Sequence, residues 1–282
     1  MIKLIKKLNM IELKQKTITV GPAIIGAIFA LVPESFFLNI KLLSNVPDEL
    51  NIILNRVLIS IFIIILVAII IAWNLIHRKS VQIKGHNYCI QIEYADILKM
   101  TSCKKVISFD ECFTTHVGEY PSDVKPTSIC GQYLEAYPIQ DIEMQKLIDA
   151  AQLKPLNTNS KYKNKVRYES GKLVPRGEYL LMAFAKLDEI GKGELTRDEL
   201  LDGLSVLWEE IDTYYAQKDI CIPILGSGIT RIKGESLTQQ QLLDIIIASY
   251  RLSSHKIKSP YKLRIVCKKH DDFSLNKIGE NI

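Results

Sequence analysis

Residues 220–232 read ICIPILGSGITRI, and the reading of that stretch decides the fold. Ile220 to Leu225 form an unbroken apolar run, ended by Gly226-Ser227-Gly228. A short continuous run of this kind, stopped by glycines, is the pattern of a strand covered on both faces. Glycine at the tip permits positive φ and close approach of the backbone to a ligand. Successive N–H groups in such a turn can cradle an anion, and open α/β sheets bind ligands beyond the carboxyl ends of their strands. Gly226, Ser227, Gly228 and Ile229 are therefore candidate phosphate contacts, with Thr230 as a hydroxyl donor and Arg231 as a counter-charge. The stretch is neither a Walker A loop nor a G-x-G-x-x-G fingerprint, because no Gly-Lys-Ser/Thr follows and the third glycine is missing. Taken alone, the same residues also describe a plain tight turn.

Further strands are expected at residues 88–94, 104–109, 178–186 and 263–267, several of them continuous apolar runs. Helices separate the later ones. Thr196 and Glu199 form a capping box, followed by Leu200, Leu204, Leu207, Ile211 and Tyr214 on one helical face. Thr238 and Gln241 open a second helix in the same way, running to about Leu252. Strand, helix, strand, helix, strand in this order implies a layered α/β domain. Residues 153–176 are rich in Asn, Lys, Ser and Gly and read as a long surface loop.

Two acidic positions fall at strand ends. Asp96-Ile97 follows the first strand, and Asp110-Glu111 follows the second. A carboxylate there accepts hydrogen bonds from an exocyclic amine or from ribose hydroxyls. Each, read singly, equally suits a helix N-cap or a solvated turn.

The first 80 or so residues have a different character. Residues 57–76 (VLISIFIIILVAIIIAWNLI) hold no charge, and 20 residues at a rise of about 1.5 Å match a hydrocarbon core of about 30 Å. Trp73 sits near the end, and His77, Arg78 and Lys79 close the segment. Residues 17–33 (TITVGPAIIGAIFALVP) form a weaker second candidate, extended to Leu38 only by including Glu34. The competing reading is a signal peptide, disfavoured by the long segment before it and by the lack of an A-x-A site after it. Gly21, Pro22 and Gly26 are tolerated in a bilayer helix and permit close helix contact. Lys3, Lys6, Lys7, Lys14 and Lys16 precede the first segment, and Arg78, Lys79 and Lys84 follow the second. The positive-inside rule then places both flanks, and the large domain, in the cytoplasm.

A net charge of +5 without an arginine-rich tract argues against nucleic acid as a partner. The six cysteines form no C-x-x-C pair, so no metal site is expected and free thiols in a reducing compartment are the simpler reading. Residues 188–199 (DEIGKGELTRDE) imitate a calcium loop, but Ile190 and Lys192 stand where oxygen ligands are required. No nucleophile elbow appears.

Asp96-Ile97, the strand at 106–109 with Asp110-Glu111, and IPILGSGI at 222–229 together resemble a macro domain, over roughly residues 81–274. The stretches SFDECFTT, SICGQYL and GEYLLMAFAKLDE are similar to the Thoeris anti-phage effectors, in which transmembrane helices precede that domain. The resemblance implies a transmembrane hairpin over residues 1–79 and a macro domain, a mixed sheet flanked by helices, over residues 80–282. It implies adenine beside Asp96, diphosphate on the late glycine loop, and the second ribose near Asp110 and Glu111. It further implies no cofactor but a signal, an ADP-ribose derivative made from NAD by a TIR-domain protein, for example an amino-acid conjugate such as histidine–ADP-ribose. Binding would drive homo-oligomeric assembly in the cell membrane and damage it. The asparagine pair of catalytic macro domains is replaced by Asp110-Glu111, and their glycine-rich first loop by residues 127–131 (TSICG). Binding without turnover is therefore expected. The rival readings are a membrane-tethered ADP-ribosyl or NAD hydrolase and a hairpin-anchored adaptor with a vestigial pocket.

Overall fold

The computed structural model describes residues 9–38, 47–228, 230–234, 236–270 and 273–278. The chain divides into two compact units, Met1–Arg78 and Lys79–Ile282.

The first unit holds helices α1 (Met10–Leu31), α2 (Glu34–Leu38) and α3 (Asp48–Ile76). Asn9 caps α1 by accepting the Glu12 N–H at 2.9 Å. α1 ends at Val32, which is extended, because the residue before a proline is kept out of the helical region. α3, with 29 residues, is about 43 Å long and exceeds the hydrocarbon thickness. Among the described residues it is the one helix long and apolar enough to cross a membrane. α1 falls short of the expected second span for a physical reason. Glu12, Lys14 and Lys16 occupy its first two turns, leaving an uncharged stretch of about 22 Å against a core of about 30 Å. Glu34–Leu38, expected to prolong it, form a separate helix beyond Pro33. Glu12 is neutralised locally by Arg78 at 2.6 Å and Lys16 at 2.8 Å. α1 packs on α3 where buried Gly21 has no side chain; a Cβ there would lie 3.6 Å from Ile64 Cγ1. Lys3, Lys6 and Lys7, which enter the orientation argument, lie outside the described residues.

The second unit holds β1 (Ser80–Lys84), β2 (Cys89–Tyr94), β3 (Cys103–Asp110), β4 (Leu173–Arg176), β5 (Tyr179–Leu187), β6 (Gly193–Leu195), β7 (Asp219–Pro223), β8 (Arg231–Ile232) and β9 (Leu263–Cys267). Its helices are α4 (Ile129–Ala136), α5 (Asp141–Ala150), α6 (Arg197–Tyr214) and α7 (Gln239–Leu252). The sheet order is β1-β2-β9-β7-β3-β5-β6-β8, with β4 paired to β5. β2, β9, β7, β3 and β5 run parallel; β1 is antiparallel to β2, β4 and β6 are antiparallel to β5, and β8 is parallel to β6. Five carboxyl ends therefore gather at one end of the sheet.

Alternate residues of the central strands enter two cores. Val106, Leu180, Met182, Ile220 and Ile222 pack with Leu204, Leu207 and Trp208 of α6 and with Leu243 and Ile247 of α7. Ile107, Phe109, Leu181, Ala183 and Cys221 pack on the other face with Tyr133 of α4 and Met144 of α5. Burial on both faces is why these strands read as unbroken apolar runs. Both capping boxes form, at Thr196/Glu199 and at Thr238/Gln241.

The expected loop at 153–176 is only partly a loop. Its last residues form β4, with Leu173 opposite Met182. The earlier part is a looped excursion tied back on itself, with Leu156 N–H donating to Arg167 C=O (2.9 Å) and Ser160 N–H to Lys165 C=O (2.8 Å).

Candidate functional site

The gathered strand ends open into a cleft of about 800 Å³. At one side Asp96 and Ile97 form its wall. Asp96 caps the 3-10 turn Ile97–Lys99 by accepting the Leu98 N–H at 3.1 Å. The neighbouring Ala95 N–H donates to Cys267 C=O at 3.2 Å, which ties this corner to the end of β9.

In the middle, β7 runs into a β-turn over residues 224–227. Ser227 N–H donates to Ile224 C=O at 3.3 Å, and Gly226 has φ +78°. Positive φ at the third position is the requirement of a type II turn, which glycine meets without strain. The Ser227 hydroxyl also donates to Ile224 C=O, at 2.6 Å. The turn thus consumes both donors of Ser227, and it leaves Gly226 and Gly228 with no backbone acceptor for their amides among the described residues. A Cβ placed on Gly228 would meet nothing within 4 Å. Thr230 lines the same cleft, its hydroxyl 3.8 Å from a Cβ built on Gly193. Ile229 lies outside the described residues, and Arg231 is described in backbone only, opposite Glu194.

The facing wall is the start of α4, an element absent from the sequence reading. Ser128 caps it, accepting the Gly131 N–H at 2.9 Å and donating to Lys125 C=O at 2.7 Å. Gly131 permits the approach, since a Cβ there would sit 2.1 Å from the Lys125 carbonyl oxygen. First-turn amides of a helix lack intrahelical acceptors and carry its positive end; here they belong to Ile129 and Cys130, both lining the cleft.

At the other side a bulge separates Phe109, opposite Ala183, from Asp110, opposite Ala185. Bulges re-aim side chains at strand ends. Asp110 lines the cleft, its Oδ1 accepting the N–H groups of Cys112 (2.8 Å) and Thr114 (3.3 Å). Burial pushes its carboxyl above the ordinary range, against those hydrogen bonds. Glu111 does not line the cleft. It is 2% exposed and points away, accepting Ser160 Oγ–H at 2.7 Å and Leu187 N–H at 3.2 Å and pairing with Arg167 at 3.1 Å. Glu111 stands in the turn beyond β3, closed by Phe113 N–H donating to Asp110 C=O at 3.2 Å, and the two carboxylates do not meet at one ligand group.

Burial works against activation of the thiols of Cys112, Cys130 and Cys267. Burial, with the Asp110 charge next, pushes Cys112 up to about 12, and burial lifts Cys130 well above the usual thiol value. Burial followed by the Glu93 charge takes Cys267 to about 12. The calcium-like loop is occupied by protein: Asp188 Oδ1 accepts Ile190 N–H (3.0 Å) and Lys192 N–H (2.8 Å), while Glu199 pairs with Lys186 at 2.6 Å.

Residues 90–268, more than half of the chain, match the family model described as Thoeris protein ThsA, Macro domain. The chain belongs to this family. It is similar to the Thoeris protein ThsA of Bacillus amyloliquefaciens (strain Y2), 28% identical over 257 residues that cover 89% of this chain and 85% of that protein. Among solved structures, it is similar to the Oceanobacillus iheyensis macrodomain with ADP (10% identity, 68% of this chain and 90% of that one, TM-score 0.46). It is also similar to the macrodomain of Thermus aquaticus DarG (12% identity, 64% and 98%, TM-score 0.38). Within this ThsA macro domain, Asp96, Ile97, Asp110, Gly226, Ser227, Gly228 and Thr230 share one cleft. Missed by the sequence reading were Ser108, the start of α4, the loop 121–125, and the basic rim of Lys192, Lys268, Lys269 and His270. The rim was within reach: Lys268-Lys269-His270 follows a strand that the apolar pattern marks, at its carboxyl end.

Proposed function

We propose that this ThsA-family chain is a membrane-anchored receptor for an ADP-ribose-type nucleotide signal. The observation that carries the reading is the pairing of two amide donors in one cleft: the Gly226–Gly228 turn and the start of α4. Together they suit a diphosphate, which needs several N–H donors and a local positive potential. The order of strand ends suits the rest of the ligand. Asp96 follows β2 and Asp110 ends β3, three strand spacings away through β9 and β7, or about 14 Å. Adenine beside Asp96, diphosphate at the glycine turn and second ribose near Asp110 follow that order. A group on the second ribose that bears an amine or an imidazolium would meet Asp110 alone, not an acidic pair.

α3 is the anchor, and α1, with its shorter apolar stretch, is the second arm of a hairpin that holds the macro domain on the cytoplasmic face. The signal, an amino-acid conjugate of ADP-ribose, comes from a TIR-domain protein. Its binding assembles several copies, and the assembled anchors disrupt the bilayer. The ligand must bind the assembled state better than the free one, since equal affinity would shift nothing. Binding without turnover is supported by the chemistry of the walls. Burial raises the Cys112, Cys130 and Cys267 thiols, and Glu111 is committed to Arg167.

The test is melting of the full chain in lipid nanodiscs with ADP-ribose, followed by chromatography of the ligand. At 100 times Kd the native state gains about 2.7 kcal/mol, which raises Tm by several degrees for a domain this size. A rise with intact ligand supports the receptor. No rise at millimolar ligand defeats it, and more than one turnover per chain replaces it with the hydrolase.

A further inference from the structure

Glu111 sits next to the cleft residue Asp110 yet spends its carboxylate elsewhere. Oε1 takes the Ser160 hydroxyl (2.7 Å) and the Leu187 amide (3.2 Å), and Oε2 takes Arg167 Nη1 (3.1 Å). Its main chain is equally committed: N–H to Ala185 C=O (2.7 Å), C=O from Tyr168 N–H (2.8 Å). Ser160 and Arg167 stand on the two limbs of the excursion, and Arg167 also donates to Thr158 through Nε (2.8 Å) and Nη2 (2.6 Å). One buried carboxylate therefore clamps both limbs to the ends of β3 and β5. Structural stability alone does not explain what the clamped tip then touches. Tyr162–Lys165 form a tight turn with Lys163 (φ 50°) and Asn164 (φ 53°) left-handed, a conformation non-glycine residues adopt at a cost. The Ser122 side chain lies beside the Tyr162 hydroxyl and holds its pKa below the usual phenol value, and Tyr162 packs at Gly191, where a Cβ would lie 2.6 Å from Ser122 Cβ and 3.2 Å from Tyr162 Cδ2. Ser122 and Gly191 line the cleft, next to Gly193, whose own Cβ would lie 3.0 Å from Ala185 Cβ, the residue opposite Asp110.

We propose that Glu111 is a positioning residue: by clamping residues 158–168 it sets the Ser122–Gly191 wall of the cleft, and that wall selects what the nucleotide carries beyond its diphosphate. The inference rests on the ADP-ribose reading and adds the element that discriminates the second ribose. Neither Glu111 nor Tyr162 lines the cleft, so their effect reaches the ligand only through the wall.

The experiment compares ADP-ribose with ADP, which lacks the second ribose, by calorimetry on the full chain in nanodiscs. Glu111→Gln places an amide N–H₂ among donors that need an acceptor. It is expected to weaken ADP-ribose about tenfold, the equivalent of one misplaced hydrogen bond, and ADP less than about twofold. Tyr162→Phe, at a half-buried position outside the buried Glu111 clamp, is expected to act in the same direction, about threefold. A purely structural role would weaken both ligands by one factor. That result, or no change in the ADP-ribose to ADP ratio for either variant, overturns the inference. Should Glu111→Gln fail to fold, the Tyr162→Phe ratio decides alone. Wild-type protein that binds neither ligand would instead defeat the receptor reading, a different and distinguishable failure.

Discussion

Gly228→Glu should abolish most nucleotide binding while leaving the fold intact. A Cβ at Gly228 meets nothing within 4 Å, and its φ is not in the left-handed region, so a side chain enters open cleft without strain. Stability should therefore stay within about 0.5 kcal/mol of wild type. The added carboxylate would stand about 6 Å from a phosphate on the glycine turn. At an effective dielectric of about 20–40 the repulsion is about 1.4–2.8 kcal/mol per pair of charges, or about 10- to 100-fold in Kd. Gly228→Gln has the same bulk without the charge and separates sterics from electrostatics. Calorimetry with ADP-ribose at about 0.05 M and about 0.5 M salt reads the difference, and the gap between Glu and Gln variants should shrink as the Debye length falls. Gly226→Ala is the contrasting variant. At φ +78° it should cost about 1 kcal/mol of stability or more. Equal affinities for wild type and Gly228→Glu, with an unchanged melting temperature, would refute the placement of the phosphate.

Asp110 gives a pH signature. Burial raises its folded pKa above 3.8, so its stabilising contribution is present below the unfolded value and is lost as pH rises through the folded value. Asp110→Asn, which keeps an oxygen for the Cys112 and Thr114 amides, should gain on wild type from about pH 4 upward in urea melts of the ligand-free protein; a constant difference between pH 4 and 8 would contradict this. Cys112 and Cys267, both pushed up to about 12, should resist iodoacetamide at pH 8 in the native protein, and mass spectrometry showing rapid labelling at either would count against their burial. Thr196→Ala removes the cap of α6 and should cost about 1 kcal/mol, read as a lowered Tm; no shift would mean the capping box contributes nothing.

How much was legible in the sequence follows from what each residue touches. Strands buried on both faces announced themselves as apolar runs, and β9 was read residue for residue at Leu263–Cys267. β1, β4, β6 and β8 were missed because they are short or half-polar and owe their form to pairing partners distant in sequence. α4 was hidden because its eight residues include Gly131, whose value lies in the close approach of the Lys125 carbonyl rather than in helix propensity. At the cleft, Asp96, Asp110 and the glycine turn were found by one rule, that ligands sit at carboxyl ends of strands. Glu111 was placed with them because sequence adjacency says nothing about which face a side chain takes. The partner that decides its orientation, Arg167, lies 56 residues further on.

A crystal structure of the macro domain within the full chain, grown with ADP-ribose, tests the central claim most directly. The account predicts diphosphate oxygens within about 3 Å of the Gly226 and Gly228 amides and of the Ile129 or Cys130 amides, with adenine beside Asp96. Diphosphate density elsewhere, or a glycine turn closed over an empty cleft at saturating nucleotide, would contradict it.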